Sequence, residues 1–210
     1  MFSKWQPIYA EHGIATFPVR LGEVKKPAIK NYLKIGKAAS AALAERFGEA
    51  NAFGFACERS KITVLDVDTD DERVLASALD RHGQTPIVIR SGSGHYHAWY
   101  KRNGERRHVR PWKDLPIDVL GGGYIVAPPS VAAKGTYEFL QGSLDDLTSL
   151  PTLRNVSDLI KVPKPAAAIR EPERNRSWNE MGDGSGRNDA LFHDLGHKAH
   201  HVADFEELLI

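Results

Sequence analysis

Ile62-Thr63-Val64-Leu65-Asp66-Val67-Asp68 decides how this chain is read. Val, Ile and Thr favour a pleated backbone, and a short apolar run between polar flanks is the mark of a buried strand. Side chains alternate along a strand, so Asp66 and Asp68 project to one face and Val67 to the other. Two carboxylates at the end of a buried strand repel each other and lose hydration. A divalent cation removes both costs, and paired carboxylates suit Mg²⁺ or Mn²⁺. The same stretch also reads as a strand that ends in a solvated acidic turn, because Asp70, Asp71 and Glu72 follow at once. The surrounding chain has to choose between the two.

The chain has 210 residues, 41% hydrophobic and 26% charged, the composition of an ordinary soluble globular protein. A net charge of +1 argues neither for nor against nucleic acid, so any such surface must come from local clustering. Cys57 is the only cysteine, which excludes an internal disulfide framework and a cysteine-rich zinc site and fits a reducing cytosol. No apolar run approaches the ~20 residues that span a bilayer, so no membrane partner is expected. Met1-Phe2-Ser3-Lys4-Trp5 leads into an amphipathic pattern rather than a secretory signal.

Upstream of the acidic strand, residues 3–13 read as a helix, with Trp5, Ile8 and Tyr9 at i, i+3, i+4 and Gly13 as its stop. Residues 14–19 read as a strand. Lys25, Lys26 and Lys30 then make a basic loop, either a solvated charged segment or a phosphate or nucleic-acid contact. Residues 38–47 read as a second helix and 51–56 as a strand.

Downstream, residues 70–82 read as a helix with Val74, Leu75, Ala78 and Leu79 on one face and Gly83 as its stop. Residues 86–90 form a strand that runs into Ser91-Gly92-Ser93-Gly94-His95-Tyr96-His97 and a further strand. A small-residue turn between strands gathers backbone N–H groups into a nest for anions, and serine hydroxyls and a histidine add donors. His95, His97 and Trp99 share one face of the second strand. Lys101, Arg102, Arg106, Arg107, Arg110 and Lys113 are the densest basic segment, with His108 and Trp112 interleaved. Cations around an aromatic ring suit a nucleic-acid strand, and equally describe a charged hairpin loop. Asp118 is a third acid within an apolar strand, followed by a glycine turn and a strand over 124–127 that Pro128-Pro129 closes. A further strand is expected over 136–140.

Residues 161–186 have the Pro, Gly, Ser and charge content of a linker, and Arg187-Asn188-Asp189 opens a helix that begins a C-terminal helical segment over 187–210. His193, His197 and His201 lie at i, i+4, i+8 on that helix, a pattern better explained by solvated side chains than by a metal. The chain stops at Ile210 in what reads as mid-domain, as a fragment of a longer protein would.

Asp66, Asp68 and Asp118 together can bind two divalent cations, while the Ser91–Gly94 turn and His97 can hold a triphosphate. Two metals clamping the attacking and leaving oxygens of an in-line displacement are the equipment of nucleotidyl transfer. The order of these elements resembles the primase-polymerase domains of the archaeo-eukaryotic primase superfamily, as found in phage and plasmid replicases. The resemblance rests on Val64-Leu65-Asp66-Val67-Asp68, on Ser91-Gly92-Ser93-Gly94-His95-Tyr96-His97, and on Ile117-Asp118 with the Gly121-Gly122-Gly123-Tyr124-Ile125-Val126-Ala127-Pro128-Pro129-Ser130 that follows. Lys26-Pro27 and Asn51-Ala52-Phe53-Gly54 also resemble landmarks of the family, so the likeness covers residues 1–160.

The resemblance implies a template-directed nucleotidyltransferase, a DNA primase or polymerase or both. It implies an α/β (α+β) fold in which an N-terminal α/β unit packs on an RRM-like catalytic sheet. Asp66, Asp68 and Asp118 would be ligands of Mg²⁺ or Mn²⁺, and no zinc is expected. His97, rather than His95, would contact the incoming dNTP or NTP, with Arg90, Ser91, Ser93 and Gly94 as further nucleotide contacts. Lys26, Lys30, Arg106, Arg107, Arg110 and Trp112 are candidates for single-stranded DNA or a primer–template. A helicase module in the same longer chain is the implied partner, and the cytoplasm, that of the host for a viral protein, the implied location. Relatives commonly carry a basic residue shortly after the third acid, where this chain has Leu120. Two other functions use parts of the same pattern. A metal-dependent nuclease or replication initiator would use the acids with His95-Tyr96-His97, and a non-catalytic nucleic-acid-binding module would use the basic segment alone.

Overall fold

The computed structural model describes residues 1–22 and 24–160. The chain divides into two units, Met1–Val162 and Pro163–Ile210, and the described residues fall in the first. The expected linker, the helix after it and its three histidines lie outside them.

The fold is α/β, two antiparallel sheets with helices. The smaller sheet has the order β2-β1-β3-β9, from β1 (Thr16–Leu21), β2 (Lys25–Pro27), β3 (Phe53–Ala56) and β9 (Tyr124–Val126). Helices α1 (Phe2–Glu11) and α2 (Lys37–Arg46) pack on each other and on β1. The larger sheet has the order β12-β5-β6-β4-β8-β7. Its strands are β4 (Ile62–Val67), β5 (Val88–Arg90), β6 (Tyr96–Lys101), β7 (Arg107–His108), β8 (Ile117–Leu120) and β12 (Glu138–Gln141). A two-stranded ribbon pairs β10 (Val131–Ala132) with β11 (Gly135–Thr136), and α3 (Glu72–His82) joins β4 to β5.

Alternation along the strands sorts the large sheet into two faces. Leu65, Val67, Val88, Tyr96, Ala98, Tyr100, Ile117 and Val119 are buried in one cluster with Leu75 and Ala78 of α3. Asp71 caps α3 by accepting from the Arg73 N–H at 3.0 Å, and Gly83 ends it at φ +102°. On the other face Ile62, Val64, Ile87, Ile89, Trp99 and Leu120 join Tyr9, Phe17, Phe53 and Phe55 of the N-terminal elements in one core. Phe55 meets Trp99 edge to face with centroids 5.2 Å apart.

The chain passes between the sheets at two neighbouring places. β3 leads into β4 and β8 into β9, with β4 paired to β8 and β3 to β9. The glycine turn between β8 and β9 is required by crowding: a Cβ on Gly121 would stand 2.4 Å from the Glu105 carbonyl oxygen. Gly54 is under the same constraint, 2.2 Å from the Ile125 carbonyl oxygen. Past β9, the Ser130 hydroxyl accepts from the Phe53 N–H at 2.9 Å and donates to the Phe53 carbonyl at 3.1 Å, stapling this segment to the small sheet.

Three details differ from the sequence reading. The buried stripe of α1 is Phe2, Gln6 and Tyr9, because Gln6 hydrogen-bonds the buried Ser40 at 3.2 Å and so carries a polar side chain inward. The basic loop begins as a strand, β2, which adds to the edge of β1 with its proline at the strand end. The strand expected over 136–140 is two strands, broken where the Tyr137 N–H donates to the Ser130 carbonyl instead.

Candidate active site

Three adjacent strands place three polar side chains in one row. In register, His97 of β6 pairs with Asp66 of β4, and Asp66 pairs with Asp118 of β8. Directly opposed residues of antiparallel strands bring their side chains together on the same face, so the row His97–Asp66–Asp118 crosses the sheet. Val64, Trp99 and Leu120 continue that face into the core, so the polar row begins where the apolar one stops. His97 Nε2 lies 3.3 Å from Asp66 Oδ1, with only 6% and 22% of the two side chains exposed. Asp68 follows the end of β4, its N–H donating to the Pro116 carbonyl at 2.7 Å, and its Oδ1 lies 3.6 Å from His95 Nδ1. Asp118 Oδ1 accepts the Arg110 N–H at 2.9 Å.

The charges in this row are coupled. Burial alone would raise the Asp66 carboxyl, but His97 beside it, with Lys25 and His95, outweighs burial and the net shift is downward. Asp68 is pushed up, first by burial and then by the like charges of Asp66 and Asp118.

The row opens into a cavity of about 330 Å³ between the two sheets, lined by Asp66, His97 and Asp118 together with Lys25, Arg107 and Tyr137. Tyr32, Leu33, Leu120 and residues 122–126 complete the wall. That volume is in the range of small-molecule sites, about 300–1,000 Å³. Burial would lower the Lys25 ammonium, yet the Tyr137 hydroxyl and the Asp66 and Asp68 carboxylates hold it above its ordinary value. Tyr137 is buried between His97 and Lys25, its ring centroid 5.9 Å from the imidazole and 5.7 Å from the ammonium. Tyr32, in the 3-10 turn Tyr32–Lys34 after β2, and Tyr124 of β9 meet edge to face at 5.2 Å on the cavity wall.

The other expected site residues are placed elsewhere. In the turn after β5, the Ser91 N–H donates to the His95 carbonyl, the Gly94 N–H to the Ser91 carbonyl and the His95 N–H to the Ser91 hydroxyl. The Ser91 and Ser93 hydroxyls face each other at 3.0 Å, and the turn does not line the cavity. Arg90 pairs in register with Tyr96 and so stands on the face opposite to His97. Lys26 and Lys30 are exposed, as are Arg106 and Arg110. Trp112 packs its ring 4.4 Å from His82 and under Arg81 at 5.3 Å, on the α3 side of the sheet. The sequence offered Lys25 only together with Lys26 and Lys30, as one basic loop, and did not single out Tyr137 or Tyr124. Alternation within β2 would have separated Lys25 from Lys26, had those residues been read as a strand.

A protein-family model described as "Bifunctional DNA primase/polymerase, N-terminal" (Prim-Pol) matches residues 7–153. The chain belongs to the Prim-Pol family. No curated protein matches it. Family membership supports a DNA primase/polymerase role, with nucleotides and DNA as the substrates it implies. Prim-Pol domains generally use divalent metals. Among the described residues no three His, Cys, Asp or Glu side chains converge closely enough to enclose an ion. The donors still fit a hard cation: three carboxylates belong to one charge cluster, and Asp68 is raised by burial and then by like charge, which a cation would offset. Among the described residues no helix is long and apolar enough to cross a membrane.

Proposed function

We propose that this Prim-Pol domain catalyses template-directed nucleotidyl transfer, extending a DNA primer or starting one, with Asp66, Asp68 and Asp118 as the metal ligands. The observation that carries the reading is the row His97–Asp66–Asp118 across three adjacent strands, facing a cavity of about 330 Å³. Divalent ions held there would supply charge neutralisation at the attacking and leaving oxygens. The chain's own groups do the rest. The large sheet fixes the carboxylates on neighbouring backbones, so they are oriented before substrate arrives. His97 favours the charged form of Asp66 from 3.3 Å and stands beside the space a phosphate would enter. The wall formed by Tyr32 and Tyr124 offers flat apolar surface for a sugar or base. The setting within a longer phage or plasmid replicase, with a linker and helical segment after residue 160, is part of the same proposal.

The test is primer extension on a labelled primer–template with dNTPs or NTPs and Mg²⁺ or Mn²⁺, wild type beside Asp66→Ala and Asp118→Ala. Metal-dependent extension lost in both variants supports the reading, and a primer-free template then tests priming. Retained incorporation in either variant sinks it. Shortened or protein-linked DNA instead would move the assignment to a nuclease or replication initiator. Tyr96 is a poor nucleophile for that chemistry, being buried on the α3 face with its hydroxyl donating to the Asp70 carbonyl at 3.2 Å. Strand binding with no metal-dependent nucleotide affinity would leave a binding module.

A further inference from the structure

We propose that Lys25 and Arg107 clamp the phosphate chain of the incoming nucleotide from opposite walls of the cleft, so that this site sorts nucleotides by phosphate number. The proposal rests on the nucleotidyl-transfer reading above and assigns Arg107 to the nucleotide rather than to the template.

The two cations reach one cavity from different parts of the fold. Lys25 stands on β2 at the edge of the small sheet, and Arg107 on β7 at the edge of the large one. Both line the cavity that holds Asp66, His97 and Asp118. Each is held through its backbone. Lys25 pairs in register with Leu21, and its carbonyl accepts the Tyr124 hydroxyl at 3.1 Å. Arg107 pairs in register with Leu120, and its side chain runs past Gly123, with Cδ 3.6 Å from where a Cβ on that glycine would stand. Arg107 thus brings a cation beside the position after the third acid, where the chain itself carries Leu120. Neither residue forms an ion pair with a carboxylate among the described residues, although two carboxylates line the same cavity.

Charge decides between nucleotide and template. Transfer at the carboxylates takes place at the α-phosphate, so the β- and γ-phosphates, which carry most of the negative charge, extend away from the acids. Left uncompensated in a partly enclosed cleft, that charge is costly. A template strand carries one charge per nucleotide along a surface, which suits spread cations such as Arg106 and Arg110, which do not line the cavity. Two cations that line one small cavity, both exposed to solvent at its walls, match a compact polyanion. Lys26, next in sequence to Lys25, points the other way along β2 and is expected to have no part in the clamp.

The test measures equilibrium binding of ATP and dATP, their di- and monophosphates, and a labelled primer–template to the full chain with Mn²⁺, beside steady-state extension. Lys25→Gln and Arg107→Gln should each weaken triphosphate binding about tenfold or more, the effect of one lost charge-assisted contact. Diphosphate binding should fall less, and monophosphate and primer–template binding should not change. KM for the nucleotide should rise by more than kcat falls, and Lys25→Arg and Arg107→Lys should recover most of the affinity. Lys37→Gln, exposed on α2 and outside the cavity, is the control and should match wild type.

Equal losses for mono- and triphosphate, or a loss confined to primer–template, would overturn the clamp. If wild type extends primers and both Gln variants bind triphosphate as it does, the clamp is wrong and the polymerase reading stands. If wild type shows phosphate-graded binding that the variants lose but never extends a primer, the clamp stands and the polymerase reading falls. No triphosphate binding by wild type overturns both.

Discussion

The two faces of the six-stranded sheet are built from the same strands and do different work. Under α3 the strands present Leu65, Val67, Tyr96, Ala98, Ile117 and Val119, all buried. Toward the small sheet they present an apolar end, Val64, Trp99 and Leu120, and then Asp66, His97 and Asp118. One strand, β4, serves both, because a period of two sends Leu65 and Asp66 to opposite sides. The α3 face therefore carries stability, and the cleft face gives some of it up to hold like charges side by side. Substitutions on the two faces should separate stability from activity.

The largest effect is expected on the cleft face. Asp66→Ala and Asp118→Ala should each slow incorporation at least about a thousandfold, roughly 4 kcal/mol on the barrier. Their thermal unfolding should stay near that of wild type, which differential scanning calorimetry would check. A large drop in Tm in either variant would mean that this face too is structural.

Leu65→Ala, one residue away and facing α3, should reverse the pattern. It should cost about 2–5 kcal/mol of stability, the scale of a buried leucine truncation, with nucleotide affinity of the folded protein unchanged. Urea denaturation and nucleotide titration read the two quantities separately. Affinity that falls while the protein remains folded would show that the faces are coupled through the strand.

Asp68→Asn sharpens the comparison with opposite signs in one variant. Burial and the charges of Asp66 and Asp118 disfavour the Asp68 carboxylate. Without metal the variant should be more stable than wild type by about 0.2–1 kcal/mol, the scale of partly exposed charge pairs, while extension falls. Denaturation in EDTA beside an extension assay tests this, and a variant that loses both stability and activity counts against it.

The smallest effect belongs to the α3 face. His82 is fully buried there, its Nδ1 2.9 Å from the Arg154 carbonyl. Burial, with Arg81 nearby, holds its imidazole below the ordinary value of 6.5. The unfolded chain therefore takes up the proton first as pH falls. This contribution to stability is complete above pH 6.5 and is lost as pH drops toward the lower, folded-state value. His82→Gln should flatten the pH dependence of Tm over that interval, and an unchanged slope would remove His82 as its source.

Much of this site was legible in the sequence, and the part that was not has a common cause. Val64-Leu65-Asp66-Val67-Asp68 read as a strand, and alternation already put Asp66 and Asp68 on a face of their own. The third acid stood out because it interrupts an apolar strand, and His97 through the serine-glycine turn before it and the motif spacing of the family the chain resembles. The serine-glycine turn also stood out, but which of its N–H groups remain free depends on the turn's own hydrogen bonds, and three are used within it. Lys25 and Arg107 did not stand out from the lysines and arginines around them, since charge patterning has no depth. Trp112 read as a ring for stacking on bases, while the fold spends it on His82 and Arg81.

Local order, then, was written in the sequence: propensity, alternation and helix stops act over a few residues and set the strands, α3 and the face each acid occupies. Register and sheet order were decided only by the tertiary structure. Nothing within Val64–Asp68 states that β6 and β8 flank it with His97 and Asp118 opposite Asp66, or that a strand edge at Lys25 and a hairpin at Arg107 close over the same cavity. Those pairings join residues far apart in the chain. They are selected by burying two apolar faces at once, a condition that no short stretch can satisfy alone.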